Sequence, residues 1–335
     1  MRFAVFGSAS DALSLHTEAR IREHGHDALL LSLEHIGVDA VVAADDDDWF
    51  FEGEDLRAFD GYVLRRFPSP HRVPSDARDK TWTLERWWQV GIVQRECSRW
   101  ARAALASIGH LGRPMVNPWM ACQLFDEKAI QLEAFRRAGL AIPPTCVTNS
   151  TRVVRAFARR QDGPLVAKPL EGGAHTRLVD PEFFSEDVLL PSPTIFQPYV
   201  RGDDVRVTIV DGKVVSAVEI DSPSLDVVDY RESPEYQSGE ARYRRHALSS
   251  SATVMCTRAA EISHHVLSGV DLKRTRTGTY VLLEANSAPM YLDIERKMND
   301  PITDAVVDYL ISAGRRSPQD DASRRVEPRV RRRCG

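Results

Sequence analysis

The segment Val270–Asn286, VDLKRTRTGTYVLLEAN, constrains this chain more than any other. Two short apolar runs flank a Lys/Arg/Thr/Gly turn, the pattern of a β-hairpin. Asp271 falls on the first strand. Glu284 and Asn286 stand at the end of the second, two residues apart and therefore on one face. A hairpin brings these three oxygen-bearing side chains to one spot beside an apolar floor. Such a set suits Mg²⁺, which takes one or two carboxylates, keeps waters and accepts further ligands from substrate phosphates. Acidic side chains at strand ends that simply meet solvent give the same pattern, so the hairpin alone leaves both readings open.

The remainder of the chain narrows the choice. At 335 residues it is long enough for a sizeable core and two or three domains. A net charge of −4 supplies no global field for nucleic acid. No apolar run is long enough to span a bilayer. The opening MRFAVFGSAS reads as a first β-strand and not as a signal peptide. Cys97, Cys122, Cys146, Cys256 and Cys334 are scattered without a CxxC pair, as expected of reduced thiols. The expectation is a cytoplasmic protein with neither a nucleic-acid nor a membrane partner.

Strands are expected at Arg2–Gly7, Ala28–Leu33 and Gly61–Phe67, with helices at Ser10–Glu23 and Trp82–Ile108. This alternation implies a mostly parallel sheet flanked by helices, ending near Pro118. Asp45–Asp48 reads as a solvated acidic loop. A single helix is expected over Ala121–Gly139, then strands at Thr145–Thr148 and Pro164–Pro169 around a helix at Arg152–Arg160. Glu171–Ala174 is a glycine loop, and Thr194–Val200 a strand. Val205–Val210 and Lys213–Ile220 form a hairpin about Asp211-Gly212. Ser222–Ser250 is polar with little regular signal. A helix over Ala252–Leu267 precedes the acidic hairpin, and another spans Asp300–Ser312. The Arg-rich stretch after Gly314 reads as a disordered tail.

Three features suit a triphosphate beside the carboxylates. Lys128 stands early in a helix, and Lys168 ends a strand. Gly172-Gly173 permit close backbone approach to phosphate. Taken singly, each is equally a surface amine or an ordinary turn. In sequence order, they supply the cations and the loop that one nucleotide cleft needs. Ile195–Val200 is apolar and carries Gln197, Pro198 and Tyr199, a flat slot with polar edges of the kind adenine requires.

Lys128, Lys168, PTIFQPYV (Pro193–Val200), DDVRVTIV (Asp203–Val210), Asp271 and LEAN (Leu283–Asn286) resemble the ATP-grasp superfamily, and within it the RimK-type carboxylate–amine ligases. PTCVTNS (Pro144–Ser150), VRVTIVDGKVVSAVEIDS (Val205–Ser222), DYR (Asp229–Arg231) and VLRRFPSP (Val63–Pro70) are most similar to graspetide synthetases, the microviridin-type peptide macrocyclases. The resemblance covers about Gly61 to Ser312. It implies an α/β ATP-grasp fold: an N-terminal parallel-sheet pre-ATP-grasp domain (1–118), a central lid domain (119–200) and a C-terminal α+β domain with the metal site (201–314). A basic tail follows (315–335).

The resemblance also implies roles. Lys128 and Lys168, with the loop Gly172-Gly173, would contact the ATP phosphates. Gln197, Pro198, Tyr199 and Val200 would hold adenine. Asp204 and Arg206 match the family's Asp/Glu-x-Arg, with Arg206 near the γ-phosphate and the acyl group. Asp271, Glu284 and Asn286 match its Mg²⁺ ligands. Asp229 and Arg231 would face the acceptor substrate or its carboxylate, so the candidate catalytic set is Arg206, Lys168, Asp229 and Arg231. The chain departs from the family in a short lid loop (Glu171–Thr176), in Tyr230 where Trp is usual, and in the charge of Met290–Met298.

The function so implied is ATP-dependent ligation through an acyl phosphate, forming side-chain ω-ester or ω-amide crosslinks in a ribosomally made precursor peptide. ATP and Mg²⁺ are the implied cofactors, and a homodimer is the implied assembly. Two alternatives stand beside it. One is a RimK-like ligase that adds an amino acid to a small-molecule or terminal carboxylate. The other is an ATP-binding regulatory module that kept the fold without the reaction.

Overall fold

A computed structural model describes residues 1–36, 39–45, 48–65, 87–170, 175–184, 188–221 and 228–316. The chain divides into two compact units, Met1–Met115 with the chain from Val307 onward, and Val116–Val306.

In the first unit, strands Asp27–Leu31, Arg2–Phe6, Gly61–Leu64 and Met115–Val116 lie side by side in that order. Arg2–Phe6 pairs in parallel with both Asp27–Leu31 and Gly61–Leu64. Helix Ala12–Glu23 is capped by Asp11, whose carboxylate accepts the Ser14 N–H at 3.2 Å, and it buries Leu13 and Ile21. The middle of the acidic run, residues 46–47, lies outside the described residues, and its exposed ends belong to strands. Asp45 and Asp48 face each other across paired strands, Val42–Asp45 and Asp48–Phe51. Their exposed charges mask the strand signal. Helix Trp87–Gly109 takes the place expected for the Trp/Arg-rich helix. The Arg66–Pro70 part of the VLRRFPSP element and the tail after residue 316 lie outside the described residues.

The second unit holds two antiparallel sheets. The smaller has strand order Arg177–Val179, Leu165–Lys168, Leu189–Pro198, Cys146–Ser150. The larger runs Arg242–Arg245, Lys213–Asp221, Asp203–Val210, Leu267–Arg274, Tyr280–Asn286. Each sheet is covered on one face by helices. On the smaller, Val154 and Phe157 of helix Thr151–Ala158 pack on Leu165 and Phe196. On the larger, Phe135 of helix Lys128–Arg137 and Cys256, Ala259 and Ala260 of helix Ser250–Ile262 pack on Val205, Val207, Val270, Leu272 and Leu282. Because side chains alternate along a strand, the residues between these core positions face the other way. Those are Val166, Lys168 and Gln197 in one sheet, and Asp204, Arg206, Asp271 and Lys273 in the other.

Three expectations for this unit are corrected. The helix expected over Ala121–Gly139 is two, Trp119–Phe125 and Lys128–Arg137, because Glu127 is extended (φ −73°, ψ 96°) and restarts the helix at Lys128. The helix expected to Leu267 stops at Ile262, and His264 turns the chain with φ 52° into strand Leu267–Arg274. The stretch read as irregular contains a 3-10 turn at Tyr230–Glu232, a short helix Pro234–Gln237 and edge strand Arg242–Arg245. Among the described residues no helix is long and apolar enough to cross a membrane.

Candidate active site

The faces of the two sheets left free by the helices line one cleft of about 830 Å³, counted with its open mouth. That is a ligand-sized space. Strand register sets its chemistry. Arg206 stands opposite Asp271, and Asp271 opposite Glu284, so a cation and two carboxylates form a row across three strands. The next row outward pairs Asp204 with Lys273.

A bulge completes the row. Glu284 and Leu282 stand opposite the adjacent Asp271 and Leu272, which leaves Leu283 as an extra residue. Leu282 and Ala285 belong to the core under the helices, whereas Leu283 and Glu284 both line the cleft. Strict alternation would have sent Glu284 to the same side as Leu282, into the core. Hydrogen bonds hold this edge strand in place. The Ala285 N–H donates to Gln131 Oε1 at 3.0 Å, and Gln131 Nε2 donates to the Ala285 carbonyl at 2.7 Å. The side chain of Asn117 accepts the Val266 and Leu267 N–H groups at 2.7 and 2.8 Å and donates to the Leu267 and Ser287 carbonyls.

Arg206, 9% exposed, grips Asp271 with its guanidinium, Nη2 reaching Oδ2 at 3.0 Å, and also donates to the Tyr230 hydroxyl at 2.8 Å. Lys128 Nζ stands 3.6 Å from Glu284. Burial pushes the Asp271 carboxyl up; Arg206 opposes the shift and the facing Glu284 adds to it. Burial acts on Glu284 in the same direction, but Lys128 and Lys168 outweigh it and hold that carboxyl below its usual range. Burial lowers the Lys168 ammonium, against the pull of Glu284. Burial would lower Arg206 as well, yet Asp271 raises it overall, so this guanidinium stays charged. The centre is therefore a pair of facing carboxylates flanked by cations, Arg206 on one side and Lys128 on the other.

Of the residues singled out in the sequence, Lys128, Lys168, Gln197, Pro198, Tyr199, Val200, Asp204, Asp229, Arg231, Asp271 and Glu284 line this cleft. Arg206 lines an adjoining cavity that shares Tyr230 and Ile220 with it. Asn286 stands further along the strand, opposite Gly269, with its Oδ1 accepting the Ala288 N–H at 2.9 Å. Gln197 is 1% exposed and its amide donates to Thr145 Oγ1 at 2.9 Å. Gly172 and Gly173 lie outside the described residues. Among the described residues no three His, Cys, Asp or Glu side chains gather as a metal cluster. The donor set is the facing pair Asp271–Glu284, whose like charges a divalent cation would relieve, so these residues fit Mg²⁺.

Sequence reasoning missed Lys273, which lines the cleft and bonds Asp204 at 2.8 Å. Its place two residues after Asp271, hence on the same face, was the available signal. It also missed Gln131 and Asn117, whose roles depend on contacts about 150 residues away.

Residues 184–310 match the RimK-like ATP-grasp domain. A curated relative from Syntrophotalea carbinolica, named probable alpha-L-glutamate ligase, is 27% identical over 206 residues, 58% of this chain and 66% of the relative. The match thus spans just under two thirds of that relative's length. The ATP-grasp ligase PsnB, solved with a phosphomimetic variant of its minimal precursor, Mg and ADP, is 26% identical with a TM-score of 0.79, over 93% of this chain and 98% of that one. The macrocyclase MdnC bound with precursor peptide MdnA, from Microcystis aeruginosa MRC, shares the fold at 18% identity and a TM-score of 0.73, over 93% and 99% of the two chains. On these grounds residues 184–310 are a RimK-like ATP-grasp domain, and the chain shares its fold with solved ATP-grasp ligases.

Proposed function

We propose that the protein is an ATP-dependent ligase that joins a carboxylate to an amine or hydroxyl through an acyl phosphate, forming ω-amide or ω-ester crosslinks within a precursor peptide. The observation that carries this reading is the row Arg206–Asp271–Glu284 along the cleft, with Lys128 and Lys168 beside it. The precursor peptides bound to PsnB and MdnC favour a peptide substrate.

In this reading an oxygen of the substrate carboxylate bonds to the γ-phosphorus of ATP and ADP leaves. The amine or hydroxyl then adds to the acyl carbon and gives up its proton, and phosphate departs. Lys128 and Lys168 neutralise the phosphates, and Arg206 orients the acyl group. Transfer of this kind depends on positioning and charge neutralisation more than on covalent help. Gln197, Pro198, Tyr199 and Val200 hold the adenine, with Asp204 beside them. Asp271 and Glu284, with Asn286, would hold Mg²⁺, which when bound neutralises charge on the phosphate oxygens.

The test is to incubate the protein with ATP, Mg²⁺ and synthetic peptides rich in Asp or Glu and in Thr, Ser or Lys. Mass spectrometry should show loss of one water per bond formed, matched by ADP release. ADP binding without any dehydration of peptide would favour a second reading, addition of an amino acid to a carboxylate, which the glutamate-ligase name of the Syntrophotalea relative supports. We also place the enzyme in the cytoplasm as a homodimer, for which light scattering on the purified protein gives the mass.

A further inference from the structure

Asp229 is 6% exposed, and both of its carboxylate oxygens are taken. Oδ1 accepts the Arg231 backbone N–H at 3.2 Å and Arg231 Nε at 2.8 Å. Oδ2 accepts Arg231 Nη2 at 2.6 Å and the Thr176 N–H at 3.1 Å. His175 Nδ1 stands 3.9 Å from the same oxygen. Next in the chain, Arg177 reaches Glu232 with Nη1 at 3.1 Å and Nη2 at 2.8 Å. The segment entering edge strand Arg177–Val179 of the smaller sheet is thus tied twice to the turn at Asp229–Glu232.

A group that takes a proton from an incoming nucleophile needs a free lone pair within reach and a pKa near the working pH. Asp229 has neither. Its oxygens are occupied, and although burial alone would raise its carboxyl, the Arg231 hydrogen bonds hold it at about 2. Arg231 differs. It lines the cleft with its side chain 40% exposed, and Nη1 has no hydrogen-bond partner among the described residues. A planar guanidinium locked along one edge presents its other edge in a fixed direction.

We propose that Asp229 acts by positioning and not by taking a proton: it locks Arg231, which the family resemblance already sets against the substrate or its carboxylate, and ties it to Thr176. Only the identity of what Arg231 meets rests on the ligase reading. The tie itself is tested without substrate, by amide hydrogen exchange at Thr176 in the wild type and in Asp229→Ala. Exchange should quicken about tenfold when the charged acceptor is lost. Unchanged exchange overturns the tie.

The positioning role is tested by a double-mutant cycle of Asp229→Asn and Arg231→Met on ligation of the peptide, with ADP affinity measured in parallel. Each single change should lower kcat by roughly 10–100-fold and leave ADP affinity within about threefold, and the double variant should be no slower than the slower single within about threefold. Losses that multiply in the double variant mean that Asp229 itself touches the reacting atoms, and overturn the proposal. Failure of the wild type to bind ADP would remove the ligase reading and leave the exchange result to decide on the tie.

Discussion

Replacing Arg206 by Met tests the charge row directly. Arg206 and Asp271 are side chains withdrawn from water, and the guanidinium is the cation bonded to Asp271. Removing it leaves Asp271 buried and facing Glu284 with no bonded cation. Breaking a buried pair from one side typically costs about 3–5 kcal/mol. For a unit of this size each kcal/mol lowers Tm by roughly 2–4 °C, so a fall of about 6–20 °C is expected. The double variant Arg206→Met/Asp271→Asn removes both charges, while Glu284 keeps Lys128 beside it, and it should recover most of that loss. Ligation should stay depressed by about two to three decades in both variants, because the lost electrostatic contact is not restored. Thermal and urea unfolding followed by circular dichroism, with peptide ligation on the same samples, separate the two effects. A single variant within about 1 kcal/mol of wild type, or a double variant less stable than the single, would refute the argument that Asp271 is held in place by Arg206.

Other consequences can be checked with the same preparations. Lys168→Ala and Glu284→Gln should each lower ligation by about two to three decades, read as ADP release with peptide present, if the cleft works as one electrostatic unit. A carboxyl held at about 2 against an ordinary 3.8 stabilises the fold above that ordinary value and loses the contribution as pH falls toward 2. Wild-type stability should therefore drop between about pH 4 and pH 2 by roughly 2 kcal/mol more than that of Asp229→Asn, measured by urea unfolding. A Cβ on Gly269 would stand 2.5 Å from Pro289 Cβ and 2.9 Å from Arg206 Nη1. Gly269→Ala should thus cost about 1–3 kcal/mol in unfolding and displace Arg206, with ligation falling along with stability.

Much of this arrangement was legible because its signals are local. The hairpin announces itself by two apolar runs about a turn, and Asp271 and Glu284 do face each other. Lys128 and Lys168 reach the cleft because one opens a helix and the other ends a strand. The misreadings have physical causes. Periodicity ran unbroken through Asp126 and Glu127, and a single extended residue between two helices leaves no mark on it. Strand Arg242–Arg245 carries three arginines in four residues and is held by pairing with Val218–Asp221, so its own sequence lacks an apolar alternation. The Leu283 bulge and the grip of Gln131 on Ala285 depend on partners distant in the chain. Lys273 stands in a basic run with Arg274 and Arg276 that does not set it apart, and its role depends on Asp204 of the neighbouring strand.

The bulge also divides the hairpin into two lengths with different obligations. On the side of Glu284 the register is tied to the cleft; beyond Leu282 the ladder runs outward through Lys273↔Val281 and Arg274↔Tyr280 to a tip of threonines, half-buried Thr275 and exposed Thr277 and Thr279. The tip is therefore a natural graft point. A fluorophore, an affinity handle or a longer loop placed there would travel with the carboxylate hairpin without resetting it, a means of watching the cleft from outside.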